Sequence, residues 1–267
     1  MANTLTISRT DGITTIRLNR VEKKNAMSLE MMEELIAAGR AIQDDPLCRV
    51  VILVGDGDSF CAGLDLTDLM KLGGDVANTK KMLNDPVDKT GANLFQLPCT
   101  IWQQLDVPVI AVLRGNVLGA GAQLALGADY RVASKDVRMS IMEAKWGLIP
   151  DMGITRSLPY LMRSDQAFEL ISTGRILGAQ EAASLGLVSK IDDDPEAEAI
   201  ELANLLLESS PDAVAASKEL IRNAWGISND GLKLEAKLQQ RLIGTPNQIE
   251  KTMASMQNRS PKFRPRD

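Results

Sequence analysis

The chain has 267 residues, of which 45% are hydrophobic and 24% are charged, so it can bury a large core in one domain, or in one domain with an appendage. The net charge of −5 and the 3% aromatic content argue against nucleic-acid binding. The chain contains no histidine, which excludes Ser-His-Asp and Cys-His catalysis and any histidine-ligated metal site. Carboxylates must therefore carry any proton transfer near neutral pH.

The cysteines and the apolar segments indicate where in the cell the protein is found. Cys48, Cys61 and Cys99 are odd in number and lack C-x-x-C spacing, which is typical of free thiols in a reducing environment and not of a metal site. The N-terminal residues have no basic segment before an apolar run, so we expect no signal peptide and a cytoplasmic protein. The most apolar stretch, residues 107–126, is interrupted by polar residues, so we expect no membrane span and no membrane partner.

Short β-branched runs alternate with helical segments in the first part of the chain. The predicted strands are residues 4–8, 13–18, 50–55, 109–113 and, more weakly, 129–134 and 188–191. The first two form a hairpin, and Ser28 caps a helix that runs to about Gln43. This alternation predicts an α/β architecture with parallel pairing. Residues 67–92 have weak helical character and predict either a loose surface connection or a mobile wall over a ligand site.

From Pro195 onward the strand signals disappear and helices follow one another. Ser210-Pro211-Asp212 combines an N-cap, a proline at the first helical position and an acid in the first turn. Residues 247–250 have the spacing of a capping box that begins at Asn247. We therefore predict an α/β core over residues 1–195 and a helical region over residues 196–267.

Two glycine-bearing turns follow buried strands, at residues 59–66 and at residues 115–123. Glycines allow the backbone to approach a ligand closely, and the first N–H groups of a helix have no internal partner. Either turn alone is equally well explained by close packing of a helix on a strand. Together, the two turns offer two N–H groups that can converge on one oxygen as an oxyanion hole.

Five segments then resemble a known family. They are Asn19-Arg20 with Asn25-Ala26-Met27, residues 60–65, residues 108–121, Gly147-Leu148-Ile149-Pro150 and residues 179–188. In this order the chain resembles the crotonase family of enoyl-CoA hydratases and isomerases. The resemblance implies a spiral of ββα units with a C-terminal helical trimerisation region, and a homotrimer or a dimer of trimers. It also implies acyl-CoA thioester substrates and no separate cofactor, because coenzyme A is part of the substrate.

The resemblance implies a set of site residues. The backbone N–H groups of Leu64 and Ala120 match the family's oxyanion donors, and the Ala62 carbonyl matches its adenine contact. The family's basic residue for the phosphates falls on Glu22 here, with Lys23 and Lys24 beside it. The predicted substrate-binding and coenzyme A-binding residues are Ala62, Lys23, Lys24, Asp65, Gly119 and Gln123.

The catalytic positions decide the expected reaction. Family hydratases use two glutamates, whose positions fall on Gln123 and Glu143, and glutamine cannot act as a base. Asp151 matches the acid of the family's dienoyl-CoA isomerases. The predicted catalytic pair is therefore Glu143 and Asp151, which suits double-bond migration. Apolar neighbours such as Trp146 and Met152 would raise the pKa of a carboxylate.

Other interpretations stay open at this point. Without the resemblance, Glu143 is a solvated acid beside Lys145, and Asp151 begins a turn or caps a helix. Within the family, a hydratase would use Glu143 alone, with Gln123 positioning water. A hydrolytic enzyme would use Asp151 as nucleophile. A protein of another class would bind acyl-CoA without turnover.

Overall fold

The computed structural model describes residues 4–209, 211–224, 230–259 and 261–262, and every element below lies within them. The strands are β1 (Leu5–Thr10), β2 (Ile13–Leu18), β3 (Val50–Gly55), β4 (Val109–Leu113), β5 (Asn116–Leu118), β6 (Tyr130–Ala133), β7 (Arg138–Ser140), β8 (Leu177–Gly178) and β9 (Lys190–Ile191). The helices are α1 (Leu29–Gln43), α2 (Leu66–Gly74), α3 (Val76–Asn84), α4 (Leu97–Gln104), α5 (Ala120–Leu126), α6 (Ser164–Thr173), α7 (Ala179–Ser184), α8 (Pro195–Leu207), α9 (Pro211–Ala224), α10 (Asp230–Leu242) and α11 (Pro246–Met256).

The larger sheet has the strand order β1-β2-β3-β4-β6-β9. Strands β1 and β2 form the predicted hairpin, which turns at Asp11 and Gly12, both with positive φ. The remaining pairs in this sheet are parallel, as the alternation of strands and helices predicted. A smaller sheet has the strand order β5-β7-β8, and its first strand comes directly after β4 in the chain. The α/β prediction is thus confirmed in this element order.

Strands β3 and β4 are buried along their whole length, because helices cover both faces of the sheet. Leu53 and Ala111 belong to the main core, which also holds the buried residues of α1 and α4. Val50, Ile52 and Val54 point to the other face, where Ala199 and Ala203 of α8 pack against them. Because alanine side chains are small, α8 packs closely on this face of the sheet. This helix begins at the boundary predicted near residue 195.

The segment 67–92 contains two helices rather than a loose connection, so that prediction is wrong. Asp65 caps α2 by accepting the Thr67 N–H, and Asp75 caps α3 in the same way. Asp68 accepts the N–H of Leu29 at 3.0 Å, which ties α2 to the first turn of α1. The adjacent glycines Gly73 and Gly74 weaken the local helical signal. Caps and tertiary contacts form both helices despite that signal.

Helices α8 to α11 follow β9, as predicted for this part of the chain. Ser210, the predicted cap of α9, lies outside the described residues. The cap of α11 is Thr245 and not Asn247, because Pro246 occupies the first helical position and the Thr245 hydroxyl accepts the Gln248 N–H. No helix in the described ranges is long and apolar enough to cross a membrane.

Candidate active site

The two glycine-bearing turns meet at a short parallel bridge between Cys61 and Val117. The Cys61 N–H donates to the Asn116 carbonyl and the Leu118 N–H donates to the Cys61 carbonyl, each at 3.0 Å. A Cβ atom on Gly121 would lie 2.5 Å from the Cys61 carbonyl oxygen, so only glycine allows this approach. Leu64 and Ala120 therefore each stand three residues beyond the same bridge.

Both predicted donors have unused N–H groups. Ala120 is the first residue of α5, and Gly119 before it has a φ of +50° and a ψ of −115°, a conformation that favours glycine. Leu64 is paired with Met27 in a parallel bridge. The two hydrogen bonds of this bridge run from the Met27 N–H to the Gly63 carbonyl and from the Asp65 N–H to the Met27 carbonyl, so neither uses the Leu64 N–H. Within the part of the chain that the structure describes, neither the Leu64 nor the Ala120 N–H donates to a protein acceptor. Neither N–H group is thus used by a hydrogen bond within the described residues.

Glu143 begins a short 3-10 helix, Glu143–Trp146, next to the second turn. A Cβ atom on Gly119 would lie 3.5 Å from Glu143 Oε1, so the acid is adjacent to the Ala120 peptide. Gln123 Nε2 donates to Oε1 at 2.8 Å, whereas Oε2 is buried and has no hydrogen-bond partner among the described residues. Burial raises the pKa of Glu143 to about 7, against the hydrogen bonds from its own backbone and from Gln123. The interpretation as a solvated acid is wrong.

Asp151 lies on the segment that Gln123 contacts. The next residue, Met152, donates its backbone N–H to Gln123 Oε1 at 2.9 Å. Gln123 therefore links Glu143 to the Asp151–Met152 peptide from inside the fold. Asp151 is half-buried and Met152 is buried, so one side of the pair is lined by apolar surface. Gln123 thus contacts the Glu143 carboxylate and the backbone next to Asp151.

Asp65 is also buried but is fully engaged. Its Oδ2 accepts from Arg20 at 2.9 Å, and its Oδ1 accepts the Thr67 N–H at 2.8 Å. Burial opposes ionisation, but the hydrogen bonds from Arg20 and Thr67 outweigh it and hold the pKa of Asp65 below its usual value. Asp65 thus fixes the backbone directly after Leu64.

The predicted coenzyme A contacts lie at the outer side of the first turn. Lys23 and Lys24 are exposed, at the end of a 3-10 helix that closes with Lys24 in the left-handed region. The Lys24 carbonyl accepts the Ala62 N–H at 3.0 Å, so the two lysines and Ala62 are neighbours. A cationic surface therefore adjoins the Ala62 peptide, as phosphate binding would require.

Two residues that shape the site were not predicted to have a role. Arg20 holds Asp65 and the Ala26 carbonyl. Asn25 is buried with a φ of +55°, and its amide donates to the carbonyls of Asp56 and Ser59 at 2.8 and 2.7 Å. Asparagine tolerates this conformation, and both residues stand in the first of the five segments that resemble the family. Asp56, Ser59 and Asp65 lie far along the chain from these side chains, and no local pattern reveals those contacts.

Cys61 contributes its backbone to the bridge between the turns, and its thiol lies against the Gly63 carbonyl. Cys48, Cys61 and Cys99 are buried free thiols, as predicted, and burial raises the pKa of Cys61 to about 11. Among the described residues there is no group of three or more acidic or cysteine side chains that could hold a metal ion.

Comparison with known proteins identifies the family. The enoyl-CoA hydratase/isomerase model matches residues 8–266. The chain is 30% identical over 266 residues to mouse (Mus musculus) mitochondrial methylglutaconyl-CoA hydratase, covering 95% of this chain and 80% of that protein. It is 31% identical over 257 residues to mouse mitochondrial Delta(3,5)-Delta(2,4)-dienoyl-CoA isomerase, covering 92% and 77%.

A solved structure agrees with this match. The crystal structure of an enoyl-CoA hydratase/isomerase from Pseudoalteromonas atlantica T6c aligns with a TM-score of 0.82 at 26% identity, covering 98% of this chain and 100% of that chain. The predicted crotonase-like fold is confirmed by this likeness. By sequence and by fold, the chain belongs to the enoyl-CoA hydratase/isomerase (crotonase) family.

Proposed function

We propose that the protein moves a carbon–carbon double bond in an acyl-CoA thioester through an enolate, with Glu143 and Asp151 as the proton carriers. The observation that carries the proposal is the Glu143 carboxylate, which is buried, adjoins the Ala120 peptide and has a pKa of about 7. An acid with this pKa exists in both protonation states at neutral pH, as a group that accepts and returns protons must.

The proposed step begins with the ionised Glu143. Its carboxylate takes a proton from carbon, so a C–H bond breaks and an O–H bond forms on Glu143. The electron pair moves into the conjugated system, and the thioester oxygen becomes an enolate oxygen held by the N–H groups of Leu64 and Ala120. Asp151 delivers a proton to a carbon further along the chain, so its O–H bond breaks while the electron pair of the enolate forms the new C–H bond. The substrate keeps its composition, and exchange with solvent restores the two acids.

Substrate binding follows from the same two turns. In this proposal the Ala62 carbonyl contacts the adenine, Lys23 and Lys24 face the phosphates, and Gly119 allows the thioester to approach. Both oxygens of Asp65 already accept hydrogen bonds, so we assign it the task of orienting the Leu64 N–H. We propose further that the protein is cytoplasmic and that it acts as a homotrimer or a dimer of trimers without a separate cofactor.

Hydration of the double bond is the second candidate. Its support is that the family relatives include proteins named hydratases as well as a dienoyl-CoA isomerase. A hydratase would need Gln123 to position water beside Glu143. The Gln123 side chain bonds to Met152 at its oxygen and to Glu143 through one N–H, so a water that it positions would have to bind to the second N–H or to the second lone pair of the oxygen.

A panel of 2-enoyl-, 3-enoyl- and dienoyl-CoA thioesters, read by mass spectrometry and absorbance, tests the proposal. Isomerisation changes the spectrum without a mass change, hydration adds the mass of water, and hydrolysis releases free coenzyme A. We expect Glu143→Gln and Asp151→Asn each to abolish most turnover, whereas Glu33→Gln, an exposed acid on α1, should retain it. Tight acyl-CoA binding with no turnover across the panel would show a binding subunit, and a covalent adduct on Asp151 would show hydrolytic chemistry.

A further inference from the structure

Gln123 is buried between two groups that fix the direction of its amide. It is 2% exposed and lies on α5, with Met152 on one side and Glu143 on the other. The backbone N–H of Met152 can only donate, so the atom that faces it must be the amide oxygen. The amide nitrogen then faces Glu143, at 2.8 Å from Oε1. The orientation of this side chain is therefore set by a backbone group and not by the acid.

This orientation makes the two oxygens of Glu143 unequal. Oε1 accepts an N–H, so a proton on that oxygen would weaken the bond from Gln123. Oε2 is buried and has no hydrogen-bond partner in the described part of the chain. The neutral form of Glu143 therefore carries its proton on Oε2, and the ionised form exposes Oε2 as the basic atom.

We propose that Gln123 is a positioning residue: its amide, oriented by the Met152 N–H, holds Oε1 of Glu143 and leaves Oε2 as the oxygen that takes and returns the substrate proton. Gln123 also favours the ionised form of Glu143, because it donates a hydrogen bond to the carboxylate. Since Glu143 is the base of the proposed function, the catalytic part of this proposal rests on that function. The assignment of the two oxygens does not.

Gln123 is the side chain that changes the pKa of Glu143, and no charged group nearby in the described ranges does so. The 3-10 helix of Glu143 packs against α6 and α11. The charged residues on these elements are Lys145, Asp165, Glu169, Glu250 and Lys251, with Asp151 on the adjoining segment. Asp165, Glu169 and Glu250 are paired with arginines. The pKa of Glu143 responds to burial, its own backbone and Gln123, and to no charged group among the described residues.

A glutamate at position 123 would behave differently. One of its oxygens would accept the Met152 N–H, and the other would face Glu143 Oε1 at hydrogen-bond distance. Two carboxylates at that distance cannot both ionise readily, so they would share one proton and the second ionisation would shift upward. The neutral amide thus keeps Glu143 as an independent acid, which fits a site that transfers protons one at a time.

Infrared titration of the buried carboxylic acid band tests the assignment without any substrate. Glu143→Gln identifies the band by removing it. In the wild type we expect the band to disappear with a midpoint near pH 7. In Gln123→Met the midpoint should rise by about one to two pH units, because a hydrogen bond to a charged group is lost. In Gln123→Glu, the two carboxylates at positions 123 and 143 should keep one shared proton up to a pH about one to two units above the wild-type midpoint.

Gln239→Met is the matched control. Gln239 is also a buried glutamine whose oxygen accepts a backbone N–H, that of Ile149 at 3.4 Å, but no bond to Glu143 is among its contacts. This variant should leave the midpoint of Glu143 where it is. The proposal is overturned if Gln123→Met and Gln123→Glu titrate like the wild type, or if Gln239→Met shifts the midpoint as far as Gln123→Met does.

Kinetics then separate this proposal from the proposed function. If the wild type turns over a substrate, the rate in Gln123→Met should recover at higher pH by the shift seen in the titration. An equal loss at every pH would mean that Gln123 only fills space, and it would overturn the positioning role. If the wild type turns over nothing in the panel, the proposed function fails, and the infrared titration alone still decides how Gln123 acts on Glu143.

Discussion

Two buried acids flank the place where the glycine-bearing turns cross, and their surroundings are opposite. Asp65 has a hydrogen bond to each oxygen and an arginine beside it, and its pKa is lowered. Glu143 has a neutral amide at one oxygen and nothing at the other within the described residues, and its pKa is raised to about 7. Burial opposes ionisation at both acids, so burial alone does not give the two pKa shifts opposite signs.

The partners explain it instead. A buried carboxylate with a cation and backbone donors stays ionised and holds its surroundings in place. A buried carboxylate without a cation is destabilised when ionised, so its pKa rises into the range where it exchanges protons. The ionised Asp65 therefore stabilises the fold of the first turn. The burial of Glu143 instead destabilises the fold when this carboxylate is ionised, and it leaves a group that titrates near pH 7. Each of the following experiments tests that contrast.

The largest effect is expected on turnover. Glu143→Gln keeps the shape of the side chain but removes the titrating group, so the rate should fall about 10²–10⁴-fold, the usual contribution of a general acid or base. The rate is measured with whichever thioester of the panel is converted. Thermal unfolding at pH 8 should show a fold at least as stable as the wild type. Retention of most of the activity would remove Glu143 from the mechanism.

The next effect is on stability at the other acid. Arg20→Met leaves Asp65 buried without its cation, which should cost about 3–5 kcal/mol in the free energy of unfolding. Urea denaturation measures this cost. The matched control is Arg163→Met, because Arg163 pairs with Asp165 at an exposed site and its loss should cost much less than the loss of Arg20. Equal costs for the two variants would mean that the Arg20–Asp65 pair does not hold the turn.

The smallest effect is the pH dependence of stability. The pKa of Glu143 rises from an ordinary 4.5 to about 7 on folding, so the folded state retains a proton that the unfolded chain has lost over that interval. The wild type should therefore lose about 3 kcal/mol relative to Glu143→Gln as the pH rises from 4.5 to 7, and no more above it.

The lowered pKa of Asp65 has the opposite sign. Its stabilising contribution is present above the pKa of the unfolded chain and is lost as the pH falls through the lower folded value. Urea midpoints measured from about pH 2 to pH 9 for the wild type, Glu143→Gln and Asp65→Asn separate the two slopes, because that of Asp65 lies below its ordinary pKa of 3.8. A constant difference between the wild type and Glu143→Gln over this range would contradict the burial of an ionisable Glu143.

Much of the scaffold was predictable because it depends on local pattern. The hairpin, the strands β3 and β4, and the helix start at Ser28 were each predicted from runs of apolar residues, turn residues and a cap. The segment 67–92 was mispredicted because its glycines and polar residues weaken the helical pattern. The contacts that stabilise α2 and α3 come from other parts of the chain.

The sequence by itself determined the family, the α/β alternation, the absence of imidazole chemistry and the two turns with spare N–H groups. Only the tertiary structure decided which acid has a raised pKa and which acid is paired with an arginine. The Arg20–Asp65 pair joins residues 45 positions apart, and the Gln123–Met152 and Gln123–Glu143 bonds join residues 29 and 20 apart. The properties of a carboxylate depend on the groups that surround it in space, and those groups are brought together only when the chain folds.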